Sequence, residues 1–155
     1  MTLAVIDSFR GDHYFLSNFY LAPVPFRGAV FPSSEHAFMA AKTESVVEFQ
    51  AILAARTPGE AKALGRKASL VPNWDTIRYG VMYAVLLSKF THNPGLRDAL
   101  LATRGTLLVE GNDWHDQTWG SCTCSRHEGT PGDNALGVIL MALRLRLGIA
   151  PPRSV

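Results

Sequence analysis

At 155 residues the chain has the length of one domain, and a composition of 47% hydrophobic and 18% charged residues excludes intrinsic disorder. No run approaches the ~18 uninterrupted apolar residues of a membrane span, and MTLAVIDSFRGDHY at the start lacks the basic and apolar regions of a secretory signal, so a cytoplasmic protein without membrane contact is expected. The net charge of +2 suits a phosphate-bearing ligand but does not by itself announce nucleic-acid binding.

Taken in chain order, VPFRGAVF at 24–31 reads as a β-hairpin turning at Arg27-Gly28. Ser33-Ser34 then cap a helix, EHAFMAAK, ending at Lys42. Thr57-Pro58-Gly59-Glu60 opens another: the threonine caps, Pro58 fits the first turn and Glu60 completes a capping box. Residues 75–91 are apolar almost all round, which predicts a buried helix. His92-Asn93-Pro94-Gly95 breaks it, and 96–102 forms a short helix. TLLVE at 106–110 reads as a buried strand ending on an acid. Residues 111–133 form a long polar loop, of the kind that tends to be functional in a compact domain, and 134–147 a last helix. The expectation is an α+β fold, mostly helical with a few short antiparallel strands. A single domain at 3–149 and a frayed 150–155 tail complete it.

Three segments carry more polar and aromatic detail than packing needs. In Phe15-Leu16-Ser17-Asn18-Phe19, Ser17 and Asn18 beside aromatic faces suit a base or ribose; the alternative is a turn bonding its own backbone. Glu35 and Lys42 are seven residues apart, which places them on one helix face about 10 Å apart, suitable for gripping one ligand. An amine at the edge of an apolar pocket has a lowered pKa and becomes a nucleophile. The alternative is an ordinary solvated amphipathic helix.

The third segment runs from Glu110 to Gly120. Asp113, His115 and Asp116 follow a strand end beside Trp114 and Trp119, where two carboxylates near a sugar would serve glycoside chemistry. The alternative is a polar loop with a core-anchoring tryptophan. Asn134 and Gly137 lie where the last helix starts, a place suited to phosphate or to simple capping. Cys122 and Cys124 with His115 and His127 raise a Cys2His2 zinc cluster, but C-x-C lacks the usual two-to-four-residue gap. A reduced thiol pair is expected, with no metal and no cofactor.

In this order the stretches FLSNFY at 15–20, FPSSEHAFMAAK at 31–42, TPGEAKALGR at 57–66, WD at 74–75, 81–120 and GDNALGVILMALRLRL at 132–147 resemble the NADAR family, also called the riboflavin-intermediate N-glycosidase family. Residues 121–131, SCTCSRHEGTP, depart from it, being longer and richer in cysteine and histidine. The resemblance implies hydrolysis of the bond between ribose C1 and an exocyclic amine. The expected substrate is ADP-ribosylated guanine in DNA or a nucleotide, which would make the chain the counterpart of a DNA ADP-ribosylating toxin. Phosphoribosylamino-pyrimidine intermediates of riboflavin synthesis are the alternative. The resemblance makes Lys42 the Schiff-base nucleophile, Glu35 and Asp116 the proton carriers and Trp119 and Trp74 the stacking faces. Phe15, Ser17, Asn18, Glu110, Gly120, Asn134 and Gly137 complete the expected binding set. Two readings from other classes share these residues: a module that binds NAD or ADP-ribose without cleaving it, and an interaction protein held by zinc at Cys122 and Cys124.

Overall fold

The computed structural model describes residues 2–149; the tail expected at 150–155 lies outside them. Its elements are β1 (Ala4–Ile6), a 3-10 turn (Gly11–Leu16), β2 (Leu21–Phe26), β3 (Ala29–Ser33), α1 (Ser34–Ala40), α2 (Val46–Leu53), α3 (Pro58–Lys67), α4 (Trp74–His92), α5 (Pro94–Ala102), β4 (Thr106–Leu108), β5 (Gly111–Asn112), β6 (Ser121–Cys122), a second 3-10 turn (Ser125–His127) and α6 (Ala135–Gly148). They fall into two compact units, Ser17–Pro94 and the two flanking stretches together. The mixed α+β composition is as expected, but only β2–β3 is antiparallel; β1–β4 and β5–β6 are parallel.

In the Ser17–Pro94 unit the hairpin forms at the expected turn. Arg27 (φ 46) and Gly28 (φ 80) both adopt left-handed backbone, the sign that a two-residue turn needs to match strand twist. Register places Val24 opposite Phe31, both fully buried. Ser33 then ends β3 and caps α1, its Oγ accepting from His36 N. Every residue of α1 is buried, so the solvated amphipathic alternative fails. The helix stops at Ala40, short of the expected Lys42, which lies in the turn beyond it.

A fully buried helix must satisfy its own polar side chains. His36 does so twice: Nε2 bonds Ala55 O at 3.1 Å and Nδ1 bonds Ser33 Oγ at 2.7 Å. With Nε2–H donating to the carbonyl, Nδ1 accepts the serine proton, and burial pushes the imidazole pKa down. The α3 helix starts as expected, Thr57 Oγ1 accepting from Glu60 N at 3.1 Å, but the glutamate returns to Arg56 N at 2.8 Å, one residue before its capping-box target. Gly65 lets α3 close on α1: a Cβ there would stand 2.7 Å from Met39 Cβ.

The α4 helix corrects its expectation. Trp74, Val81, Met82, Val85, Leu86, Lys89 and Phe90 are buried, whereas Asp75, Thr76, Ile77, Tyr79 and Gly80 are exposed. It is one-sided, and the apolar residues on its outer face are ordinary surface. Its inner face packs on β2, with Ser88 Oγ donating to Pro25 O and Asn93 Nδ2 to Pro23 O. Lys89 is fully buried, its Nζ donating to Ser17 O at 3.0 Å with the Tyr20 and Phe90 rings 5.6 and 5.2 Å away. Burial brings its pKa down to about 7.

In the other unit, β1 pairs with β4 from Ala4–Thr106 to Ile6–Leu108. Gly137 permits α6 to lie on this pair, since a Cβ would collide with Leu108 O and with the Asn134 amide at 2.5 Å. Arg144 fastens the same helix through Nη1 to Thr103 O (2.7 Å) and Nη2 to Thr106 O (2.8 Å). The expected 111–133 loop contains β5, β6 and a 3-10 turn. No helix among the described residues is long and apolar enough to cross a membrane.

Two outcomes follow from this packing. Because Lys89 holds its proton less tightly when folded than when unfolded, the unfolded chain binds more protons above about pH 7. Stability therefore rises between about pH 7 and the ordinary lysine value of 10.5, and Lys89→Met flattens that slope in melts across the range. Gly65→Ala forces α1 and α3 apart and lowers stability by roughly 1–3 kcal/mol in denaturant titrations.

Candidate active site

Two of the expected residues prove to be electrostatically linked in the Ser17–Pro94 unit. Glu35 is 5% exposed in the first turn of α1. Lys42, half-buried just beyond the same helix, has its backbone held on both sides: its N–H donates to Met39 O at 3.2 Å and its carbonyl accepts from Val71 N at 2.7 Å. Burial pulls the Lys42 pKa down; the Glu35 charge opposes this, and the charges of Arg66 and Lys62 add to it. The result is an amine nearer its neutral, nucleophilic form than a surface lysine.

Trp74, the first residue of α4, forms one wall. Its indole lies 6.0 Å from Lys42 Nζ and 5.2 Å from the Phe38 ring. Asn18 is buried, its O accepting from Glu35 N at 3.0 Å and its Nδ2 facing Met82 Sδ at 3.4 Å. Its Oδ1 is buried with no hydrogen-bond partner among the described residues, an acceptor left available to a ligand hydroxyl. Ser17 instead takes the turn alternative, its Oγ accepting from Phe19 N at 3.1 Å.

Lys62 and Arg66 are absent from the sequence-based set. They are four residues apart on α3, hence on one face, and both act on Lys42. The i,i+4 spacing within TPGEAKALGR was the available signal. Buried Lys89 carried no comparable signal, because a lysine among apolar residues of a helix reads the same whether its stem is covered or exposed. An open groove of about 510 Å³ lined by Phe26, Arg27, Ile77 and Val81 contains none of the expected site residues.

The other unit holds Phe15, Glu110, Asp116, Trp119, Gly120, Asn134 and Gly137. Phe15 is half-buried in the first 3-10 turn, and Glu110 and Trp119 are also half-buried. The Asp116 carboxylate organises its own loop: Oδ1 accepts from Thr118 N (3.0 Å) and Trp119 N (2.8 Å). Asn112 grips the Asp116 backbone from both sides, Oδ1 accepting from its N–H at 3.1 Å and Nδ2 donating to its carbonyl at 2.8 Å. Gln117 spans the loop from Cys122 N (2.7 Å) to Thr130 O (2.8 Å).

At the start of α6, where phosphate binding or simple capping was expected, Asn134 and Gly137 both make packing contacts. Asn134 Oδ1 accepts from Glu110 N and its Nδ2 donates to Leu108 O, both at 2.9 Å, so the side chain ties β4 to the helix start. Gly137 meets the Leu108 carbonyl, and Gly120 meets Glu110 O and the Asn112 amide. These glycines serve close approach of backbone to backbone. In the same loop the donor atoms of His115, Cys122, Cys124 and His127 converge within 4.8 Å of one another.

The family model described as NADAR domain matches residues 8–148. The chain is 35% identical to N-glycosidase YbiA of Escherichia coli over 150 residues, covering 96% of this chain and 90% of that protein. It is 35% identical to the Vibrio vulnificus riboflavin biosynthesis protein VVA0006 over 88% of this chain and 36% of that one. It is 43% identical to the chloroplastic riboflavin biosynthesis protein PYRR of Arabidopsis thaliana over 60% of this chain and 16% of that one. The solution structure of E. coli YbiA matches with a TM-score of 0.81 and 31% identity, covering 99% of this chain and 94% of that one. With the family model spanning nearly all of it and a relative matched almost end to end, the chain belongs to the NADAR domain family.

Proposed function

We propose that this N-glycosidase cleaves the bond between ribose C1 and an exocyclic amine through a Schiff base on Lys42, and that its ribose carries a 5-phosphate. The observation that carries the reading is the Lys42 amine itself: half-buried, beside Trp74, with its pKa lowered by burial and by Arg66 and Lys62.

The substrate's glycosylamine opens to an imine at C1. The neutral Lys42 Nζ adds to C1, the bond from C1 to the base amine breaks, and that amine leaves with a proton supplied by Glu35. Water then adds to the Lys42 Schiff base, the C1–Nζ bond breaks and the sugar is released. Net, one water is consumed and one amine freed. Glu35 is the better proton carrier of the two candidate acids, since it acts electrostatically on Lys42, whereas Asp116 spends Oδ1 on the Thr118 and Trp119 N–H groups. Asp116 is left to order its own loop by holding the Trp119 N–H. Asn18 Oδ1 suits a ribose hydroxyl, and Lys62 with Arg66 suit the phosphate. A cytoplasmic setting agrees with such a substrate.

Phosphoribosylamino-pyrimidine is the substrate favoured here. The riboflavin biosynthesis names of two relatives support it. ADP-ribosyl-guanine, the toxin-linked substrate, is supported by a different observation. Trp114 is 50% exposed with the Arg10 guanidinium 5.7 Å over its ring, the kind of face that stacks a second base.

Borohydride added during turnover is expected to trap the sugar on Lys42, read by peptide mass; Lys42→Ala and Lys42→Arg give no adduct. Full activity in Lys42→Ala refutes the lysine route, and cleavage-free binding of either compound supports a non-catalytic module. Side-by-side hydrolysis with Trp114→Ala separates the substrates: loss confined to ADP-ribosyl-guanine selects the second reading.

The pH profile tests the electrostatics. Removing either cation by Lys62→Ala or Arg66→Ala raises the Lys42 pKa, so the rising limb of kcat moves to higher pH. Glu35→Gln removes the opposing charge and moves the limb to lower pH, while kcat falls by about 10²–10⁴-fold.

A further inference from the structure

We propose that His115, Cys122, Cys124 and His127 form a closed tetrahedral zinc site that fastens the loop carrying Asp116 and Trp119. The four donor atoms lie within 4.8 Å of one another. Cys124 Sγ is 3.3 Å from both His115 Nδ1 and His127 Nδ1, and the two imidazole rings are 5.3 Å apart at 62°. Zn–S bonds of about 2.3 Å and Zn–N bonds of about 2.0–2.1 Å place tetrahedral ligands roughly 3.3–3.8 Å from each other. The two sulfur–nitrogen separations already match, so a small contraction completes the shell.

The backbone explains why the awkward C-x-C spacing does not prevent this. Cys122 is set by β6 pairing with β5, and its N–H is held by Gln117 Oε1. The pair with a zinc-like gap is Cys124 and His127, two residues between them, brought together by the second 3-10 turn in which His127 N donates to Cys124 O at 2.9 Å. His115 supplies the fourth arm from a left-handed backbone position (φ 70), rare for a residue other than glycine. Cys122 is buried, Cys124 and His127 half-buried and His115 exposed, which leaves one side open for metal entry.

Two thiolates and two neutral imidazoles cancel the charge of Zn²⁺, and binding releases the two thiol protons to solvent. The S2N2 set is the choice of a zinc site, and four protein ligands leave no position for a substrate or a water. The metal is therefore structural. Its lever on function is His115, the neighbour of Asp116, which holds the Trp119 N–H.

The test uses the full chain, reconstituted with zinc under reducing conditions and desalted. Expected are one equivalent of retained zinc by elemental analysis, two thiols protected from a chromogenic disulfide reagent until chelator is added, and a melting temperature lowered by the chelator. Cobalt substitution should give the visible bands of a tetrahedral ion together with thiolate-to-cobalt charge transfer. Cys124→Ser and His127→Ala should each lower zinc retention at least about tenfold. If either variant fails to fold, the wild-type cobalt spectrum decides. Substoichiometric zinc, a cobalt spectrum without thiolate charge transfer, or a chain two hydrogens lighter from a Cys122–Cys124 disulfide would each overturn the site.

Discussion

The burial of α1 is the constraint on which the Ser17–Pro94 unit depends. Seven consecutive residues, among them Ser34, Glu35 and His36, are withdrawn from water. A short helix has little stability of its own, so it exists because β3, α2, α3 and α4 cover it. That enclosure dictates the rest. His36 has to find Ser33 and Ala55, Gly65 has to lack a side chain, and Lys42 emerges half-buried just past the end of the helix. The lowered pKa of Lys42 is thus a by-product of packing: the burial that builds the unit also removes part of the solvation of the amine.

The flanking unit is organised differently. Its 3-residue and 2-residue strands bury little, and much of the order in 110–134 comes from side chains bonded to backbone. Asn112, Asp116, Gln117 and Asn134 each satisfy two or more main-chain groups. Such bonds are individually worth roughly 1 kcal/mol, and in sum they define one conformation for a segment that lacks periodic structure. The four-donor cluster sits within this network.

The local features were the most legible in the sequence. The Arg27-Gly28 turn, the Ser33 and Thr57 caps and the boundaries of α4 and α6 follow from short-range chemistry, and short-range chemistry is written in adjacent residues. Partnership across the chain was not. β1 is three residues long and becomes a strand only because β4, a hundred positions later, lies beside it, and α2 is anchored by Glu48 reaching Thr43 and Ser69. In the candidate site, Lys42 and Glu35 were singled out by spacing and by the family resemblance, whereas the cations acting on Lys42, Lys62 and Arg66, emerged from the fold. The packing partners of Asn134 and Gly137 were not legible, because a polar residue and a glycine at a helix start read alike whether they face a ligand or a neighbouring strand. The histidine–cysteine set was judged on its C-x-C spacing, while the geometry rests on the Cys124–His127 turn.

The doubly anchored asparagine at 112 has a kinetic meaning. A loop already locked by its own side chains has little conformational freedom left to lose on contact with any partner, so such an encounter would not be slowed by a search among loop shapes. For a partner that met this loop, discrimination would then fall on how long each one stays, in the dissociation rate and not in the association rate.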